Sequence, residues 1–177
     1  MQSDEAIIGR VLRGHTGEFR ELMLRYQGRA YCVGYRILCR REEAEDAVQE
    51  TFLSVYQNLS SYREEGSFWP WVRRIAVNCC LQRLRAKHSG EQLDDLPDES
   101  FGWTCSAEEE ALRNISMDDV LQAVAELGGP LRTVMTLRYQ EDLSYKEIAE
   151  LIGEPETTVQ MRLHRARKIL TQKLAVS

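Results

Sequence analysis

Apolar residues recur at helical spacing along this chain, and no segment alternates apolar and polar residues for long enough to predict a strand. One apolar stripe lies between Phe19 and Tyr26, and similar stripes lie over Val48–Leu59 and Val72–Cys79. Gly66 and Gly153 stand where such stripes stop, as turn residues do. The pattern predicts an all-α protein with about four helices in each half.

The distribution of charge divides the 177 residues into three parts. Residues 1–88 have a net charge of +3, residues 89–110 have eight acidic and no basic side chains, and residues 111–177 have nine of each. The middle part also contains glycine, proline and serine, which is typical of a linker. We therefore predict two small helical domains, 1–88 and 111–177, joined by a flexible acidic linker, 89–110.

Several function classes are excluded by what the sequence lacks. Five cysteines without a C-x-x-C pair, and three histidines in different segments, predict no disulfide framework, no metal site and no cofactor. No nucleophile pattern or glycine-rich phosphate loop is present, so we expect neither an enzyme nor a small-molecule substrate. No apolar run is long enough to span a bilayer, and the acidic start is unlike a signal peptide, so we expect a cytoplasmic protein without membrane insertion.

The segment Leu143–Leu170 carries the clearest local signal. Ser144 and Glu147 form a capping-box pair at the start of a helix, and Gly153 is placed to end that helix in a left-handed turn. Pro155 then suits the first turn of a second helix. One side of that helix is apolar, and Thr158, Arg162 and Arg165 share another side. The arrangement predicts a helix-turn-helix whose second helix enters the DNA major groove.

A second pattern lies on the predicted helix over 42–59. Asp46, Gln49, Glu50 and Leu53 stand at i, i+3, i+4 and i+7, beside the apolar stripe. This set is called the docking stripe below. Either it is a solvated acidic face, or it is a surface for a protein partner.

A third pattern follows from Ser60 to His88. A loop ending at Gly66 leads to three aromatic residues and then to a helix with five basic and no acidic residues. Aromatic rings beside arginines are suited to stacking unpaired bases while holding phosphates. Phe68 and Trp71 are expected in the core, whereas Trp69, between the loop and Pro70, is less committed to the core.

Four stretches resemble one protein family, in order and in spacing. They are A-E-D-A-V-Q-E-T-F-L, S-F-W-P-W-V-R-R-I-A-V-N, L-S-Y-K-E-I-A-E-L-I-G and T-V-Q-M-R-L-H-R-A-R-K. They resemble the extracytoplasmic-function group of bacterial RNA polymerase sigma factors, over about Glu18 to Leu174. The resemblance implies that 1–88 is the region 2 domain and 111–177 the region 4 domain of a sigma factor.

The resemblance implies a role for each pattern. The docking stripe (Asp46, Gln49, Glu50 and Leu53) is expected to bind the clamp helices of the polymerase β′ subunit. Residues expected to recognise and melt the −10 element, with capture of a flipped base, are Ser61, Tyr62, Arg63, Trp69, Arg73, Arg74, Asn78, Arg83 and Arg85. Residues expected to bind the −35 element are Thr157, Thr158, Gln160, Met161, Arg162, His164, Arg165 and Lys168. Gln160 and Met161 depart from the basic residue and serine that the family commonly has there.

The implied partners are core RNA polymerase (β′ and β subunits), promoter DNA and an inhibitory anti-sigma factor. The acidic linker is expected to pass through the polymerase channel that otherwise carries nucleic acid. A net charge of −5 predicts weak binding to DNA by the free chain. Two alternatives remain, a free-standing helix-turn-helix regulator and a helical adaptor that binds protein only. The first leaves the docking stripe and linker without a purpose, and the second leaves the recognition-helix arginines unexplained.

Overall fold

A computed structural model of the chain describes residues 2–63, 66–87 and 117–174, with the backbone alone at 117–119. Over these residues the regular structure is helical and no strand occurs, so the all-α prediction is confirmed. The helices are α1 Asp4–Leu12, α2 Phe19–Leu38, α3 Arg41–Gln57, α4 Phe68–Lys87, α5 Met117–Ala125, α6 Gly129–Tyr139, α7 Tyr145–Ile152 and α8 Glu156–Leu174; single 3-10 turns lie at Thr16–Glu18 and Leu59–Ser61. In the described part of the chain, none of these helices is both long and apolar enough to cross a membrane.

The packing divides the chain into two compact units, one ending at Arg83 and the other beginning at Leu84. The predicted linker, 89–110, lies outside the described residues, so that prediction stays a prediction. The four helices predicted for each half are present, α1 to α4 and α5 to α8.

The first unit is built on the pairing of α2 with α3. Leu22, Val33 and Ile37 on α2, and Val55 on α3, are at most 1% exposed. Two residues join the helices, and Cys39 takes a left-handed conformation (φ 54°) there, which lets α2 end and the chain reverse.

Helix α1 is held on α2 by one carboxylate. Asp4 lies 2.8 Å from Nη1 of Arg25 and accepts a hydrogen bond from the hydroxyl of Tyr26. Burial, reinforced by the hydrogen bond to Asp4, raises the pKa of Tyr26 to about 12. The phenol therefore stays a donor at neutral pH, which preserves the link between the two helices.

The second unit contains the predicted helix-turn-helix as α7 and α8. The capping box is confirmed: Ser144 Oγ accepts from the Glu147 N–H at 3.2 Å, and Glu147 Oε2 accepts from the Ser144 N–H at 2.8 Å. Gly153 takes the predicted left-handed conformation (φ 71°), and its N–H donates to the Ala149 carbonyl. Pro155 stands just before α8 rather than inside it, and its carbonyl accepts from the N–H groups of Thr158 and Val159.

The capping box gives a first testable prediction. Replacing Ser144 with alanine leaves the Glu147 N–H without its acceptor, and we expect the free energy of opening α7 to fall by about 1 kcal/mol. Hydrogen–deuterium exchange of peptides covering Tyr145–Ile152, in the full chain, measures that free energy. Ser144→Thr keeps the acceptor and is expected to protect α7 almost as well as serine does. Equal protection with alanine and serine would contradict the prediction.

Candidate functional site

Helix α3 presents the docking stripe on one exposed side. The carboxylates of Asp46 and Glu50 are 60% and 53% exposed, Leu53 is 59% exposed, and Gln49 is exposed as well. The opposite side of α3, with Ala47 among its residues, is buried in the first unit. The spacing in the sequence therefore translates into one continuous surface.

An apolar groove adjoins the docking stripe, between α2 and α3. It has a volume of about 510 Å³ and is lined by Phe19, Met23, Gln27, Val48, Gln49, Phe52, Leu53 and Tyr56. Gln49 and Leu53 belong to both the groove and the docking stripe. Tyr56, at its far end, is 42% exposed. Exposed apolar surface beside charged side chains is typical of a protein-binding site.

Sequence reasoning missed the part of this surface that α2 supplies. Phe19 and Met23 look like core residues in the apolar stripe of α2, but both are only half-buried in the structure. Their partial exposure depends on how far α2 overlaps α3, and no pattern within α2 reports that overlap.

Arg83 lies apart from the other arginines that were assigned to the −10 element. Its guanidinium instead contacts the docking stripe: Nη2 lies 2.5 Å and Nε 3.1 Å from the two oxygens of Glu50, and Nη1 lies 3.4 Å from Asp46 Oδ2. The hydrogen bond to Glu50 raises the pKa of Arg83, and the side chain is only 23% exposed. The bidentate pair uses the fixed fork of arginine, so Arg83 belongs to the acidic surface of α3.

The loop before α4 is closed by its own aromatic residue. The hydroxyl of Tyr62 donates to the carbonyl of Gly66 at 3.0 Å, and Gly66 has a φ of 97° that favours glycine. The ring of Tyr62 packs on Phe68 and Trp71, with centroids 5.0 and 5.4 Å away. Residues 64 and 65 lie outside the described part. The ring cluster holds Tyr62 against the first turn of α4.

Trp69 and Trp71 exchange the environments that the sequence indicated. Trp69, the residue less committed to the core, is 4% exposed, and Trp71, which was expected in the core, is only half-buried. The ring of Tyr26 lies parallel to the indole at 6.1 Å, and the guanidinium of Arg29 lies 4.3 Å from the indole centroid. Tyr26 and Arg29 stand at i and i+3 on α2, so one face of that helix covers the indole. Trp71 is the more accessible ring for stacking.

The other residues assigned to the −10 element lie on the surface. Ser61, Arg63, Arg74, Asn78 and Arg85 are exposed, and Tyr62 and Arg73 are half-buried. Arg74, Asn78 and Arg85 are spaced by four and seven residues, which puts them on one face of α4. The structure brings this face together but separates Trp69 and Arg83 from it.

Helix α8 has one fully buried side and one exposed side. Val159, Leu163, Ala166 and Leu170 are at most 1% exposed, as their spacing predicted. The residues assigned to the −35 element occupy the rest of the surface: Thr157, Met161, His164, Arg165 and Lys168 are exposed, and Thr158, Gln160 and Arg162 are half-buried. Arg162 is covered in part by Glu154, whose Oε2 lies 2.9 Å from its Nη2.

Arg167 fixes the angle between the helices of this unit. It is 9% exposed, and it donates to the hydroxyl of Tyr139 at 2.8 Å and to that of Tyr145 at 3.2 Å. Burial alone lowers the pKa of Arg167, but these hydrogen bonds raise it above its ordinary value, so the guanidinium stays charged. One buried side chain of α8 thereby holds the end of α6 and the start of α7.

The buried cysteines give a second testable prediction. Burial raises the pKa of Cys79, and raises that of Cys80 to about 12, so both are protonated thiols at pH 8. We expect iodoacetamide at pH 8 to modify the exposed Cys32 first, and Cys79 and Cys80 only after unfolding. Mass spectrometry of the alkylated peptides measures this order. Labelling of Cys79 or Cys80 in the folded chain as fast as Cys32 would contradict it.

Comparison with protein families finds two matches along the chain. Residues 22–90 match Sigma-70 region 2, and residues 117–170 match Sigma-70, region 4. The two matched segments contain every residue of the docking stripe and every residue assigned above to the −10 and −35 elements.

Comparison with curated proteins finds relatives of nearly the same length. The chain is 31% identical over 176 residues to the ECF RNA polymerase sigma factor SigW of Bacillus subtilis, with 94% of each chain covered. It is 32% identical over 181 residues to the ECF RNA polymerase sigma-E factor of Haemophilus influenzae, with 97% of this chain and 95% of that one covered.

Comparison with solved structures finds the same fold. CnrH, solved in complex with the cytosolic domain of CnrY, gives a TM-score of 0.61 at 20% identity, with 99% of each chain covered. The sigma factor RpoE of Bartonella quintana, solved with the anti-sigma factor NepR, gives a TM-score of 0.62 at 20% identity, with 90% of this chain and 98% of that one covered.

Proposed function

The chain belongs to the extracytoplasmic-function RNA polymerase sigma factors, and we propose that it binds core polymerase through the docking stripe and directs initiation at promoters with −35 and −10 elements. The reaction itself is carried out by the polymerase, and this chain supplies recognition. Residues 1–88 act as the domain for polymerase docking and the −10 element, and 111–177 as the domain for the −35 element.

The observation that carries the proposal is the docking stripe at the edge of the apolar groove. Asp46, Glu50 and Leu53 are each more than half exposed, although a leucine gains free energy when it is covered. A partner that covers this surface has apolar side chains for the groove and basic side chains for the carboxylates. In this family the β′ clamp helices are that partner.

Helix α4 and the residues just before it supply the surface that we assign to the −10 element. Arg73, Arg74, Asn78 and Arg85 offer donors for phosphates and base edges, and the loop Ser61–Arg63 adjoins them. Trp71, which is half-buried, is the ring available for a base that leaves the stack. Trp69 supports this surface from beneath, since α2 covers its indole.

The second unit supplies the −35 surface. In the helix-turn-helix geometry the N-terminal half of the second helix faces base edges, which places Thr157, Thr158, Gln160 and Met161 there. Arg162 and Arg165 follow, with the guanidinium fork that pairs with guanine O6 and N7. His164 and Lys168, four residues apart on α8, are both exposed, and we assign them to phosphate contacts.

Net charge explains why the polymerase is needed. A chain of net charge −5 gains little free energy from releasing counterions of DNA. We propose that it binds promoters well only when core polymerase holds both domains in place. The acidic linker, 89–110, then passes through the basic channel of the polymerase as a substitute for nucleic acid.

Regulation by an anti-sigma factor is part of the proposal. The sigma factor RpoE, whose fold this chain shares, was solved with the anti-sigma factor NepR. An inhibitor that covers the apolar groove and the docking stripe excludes core polymerase by competition for the same surface. Such a cycle of capture and release would operate in the cytoplasm, where the polymerase is.

Co-elution with bacterial core RNA polymerase on gel filtration tests the proposal. We expect the purified chain to elute with core enzyme and to shift to its own volume when core is left out. Failure of a folded chain to co-elute would return the free-standing regulator and the adaptor to consideration. Binding of the free chain to a defined duplex would then separate those two.

A further inference from the structure

An ion pair links the turn of the helix-turn-helix to the recognition helix. Glu154, in the turn between α7 and α8, places Oε2 2.9 Å from Nη2 of Arg162. The two side chains are 28% and 19% exposed, so water reaches the pair only in part. The family resemblance implies a role in the −35 surface for Arg162 and implies none for Glu154.

Both ends of this pair are fixed by the backbone. Gly153 in its left-handed conformation ends α7, and the N–H of Glu154 donates to the Ala149 carbonyl at 3.1 Å. Pro155 follows and restricts the chain on the other side. Arg162 extends from a helix that is anchored by the fully buried Val159 and Leu163. The backbone on both sides therefore determines where the Glu154 carboxylate contacts the Arg162 guanidinium.

A carboxylate in this place restricts an arginine without using up its donors. Guanidinium has five N–H donors, and Glu154 contacts the Nη2 end of the group. The remaining N–H groups keep the fork that binds O6 and N7 of guanine. Because the side chain is already held, it loses less freedom on binding DNA than an unrestrained arginine does.

We propose that Glu154 is a positioning residue that holds Arg162 for a guanine of the −35 element. The inference rests on the proposed function, since it needs Arg162 to read a base. Two opposite effects follow. By holding Arg162, Glu154 increases the preference for guanine at one base pair. Its negative charge, close to the phosphates, lowers the affinity for DNA of any sequence.

The neighbouring contact of Gln160 does not carry the same argument. Its Nε2 lies 3.4 Å from Oε1 of Glu156, and Glu156 is exposed in the first turn of α8. A long contact to an exposed side chain leaves both groups free to move. The ion pair of Glu154 with Arg162 is shorter and partly buried, so it restricts the orientation of the Arg162 side chain, which the contact of Gln160 does not do for its own.

The test uses holoenzyme reconstituted from core polymerase and the full chain. The probe is a pool of promoter-length duplexes randomised across the −35 and −10 regions, and sequencing of bound duplexes gives the base preference at each position. Wild type is compared with Glu154→Gln, Arg162→Ala and the double variant. Glu150→Gln, on exposed α7 surface, removes the same charge and is the matched control.

We expect Arg162→Ala to reduce a guanine preference at one −35 position by about tenfold. Glu154→Gln is expected to reduce the preference at that same position by about threefold. Total binding by Glu154→Gln is expected to equal or exceed that of wild type. In the double variant, the preference is expected to match that of Arg162→Ala alone. The preference with Glu150→Gln is expected to equal that of wild type.

Three results would overturn the inference. In the first, Glu154→Gln has the preferences of Glu150→Gln while thermal unfolding shows both folded, so Glu154 does not position Arg162. In the second, Glu154→Gln still changes the preference when Arg162 is alanine, so it acts through charge alone. In the third, Arg162→Ala keeps every preference, so another side chain reads the base. A wild-type holoenzyme without any preference would instead contradict the proposed function itself.

Discussion

We expect replacement of both Asp46 and Glu50 with lysine to weaken binding to core RNA polymerase by at least about a hundredfold. The reason is that two exposed carboxylates, which face a basic partner surface in the proposed complex, would become two like charges against it. Leu53, in the same stripe, still fills its apolar contact but cannot offset the repulsion. Titration of labelled chain with core polymerase, followed by fluorescence anisotropy, measures the affinity.

The contact of Arg83 with both carboxylates calls for a second variant. Lysines at 46 and 50 also repel Arg83 inside the first unit, so a loss of binding could arise from the fold. Leu53→Asp leaves those ion pairs in place and is expected to weaken binding as well, since it puts a carboxylate against apolar partner surface. Thermal unfolding of each variant accompanies the titration.

A matched control uses acidic residues on other helices. Glu5 is exposed on α1, and Glu150 is exposed on α7. Their double replacement by lysine changes the net charge by the same amount and is expected to leave the affinity for core within about twofold. Wild-type affinity in both stripe variants would show that α3 does not dock on the polymerase.

The second large effect is the loss of promoter binding that we expect when both Arg162 and Arg165 are replaced with alanine. Each lost base contact is expected to weaken holoenzyme binding to its −35 element by about 1–3 kcal/mol. The duplex selected from the randomised pool serves as the probe, and filter binding at fixed salt measures the affinity. The two losses add only in part, since the residues are near neighbours on one helix.

Lys173→Ala is the control for this change, since Lys173 lies near the end of α8 and contacts Glu126, the residue that follows α5. It removes a positive charge from the same helix without touching the surface assigned to the −35 element. We expect its affinity for the selected duplex to stay close to that of wild type. Transcription that is indifferent to the loss of both Arg162 and Arg165 would mean that α8 is not the recognition helix.

The parts of the fold that were predictable are those fixed by neighbours in the sequence. The capping box needs only Ser144 and Glu147, three residues apart, and the left-handed turn needs only Gly153. The buried side of α8 follows from the spacing of its apolar residues. Short-range geometry therefore specified the helix-turn-helix before any packing was known.

The features that the sequence did not predict depend on which helices pack together. Trp69 is buried because Tyr26 and Arg29 of another helix cover its indole, and Arg83 faces α3 because α4 packs beside it. The charge of a side chain does not tell which neighbour it will contact. Arg83 was grouped with the DNA surface because it lies in a basic helix, but it forms ion pairs with Asp46 and Glu50, which are distant in the sequence.

The apolar groove shows the same limit. Its residues come from α2 and α3, and each set alone resembles an ordinary buried stripe. Only the offset between the two helices leaves Tyr56 and Leu53 exposed. A surface that two helices form together can be recognised only when the positions of both helices are known. The sequence therefore indicated the part of this surface that lies on α3 and missed the part that lies on α2.

Transcription in vitro tests the central claim most directly. Core polymerase alone and core with the purified chain are given the pool of duplexes randomised across the −35 and −10 regions, and transcripts are sequenced from their 5′ ends. The claim predicts that the chain yields new transcripts, each starting at a fixed distance downstream of a shared pair of sequence elements. Transcripts indistinguishable from those of core alone, with a chain shown to be folded, would contradict it.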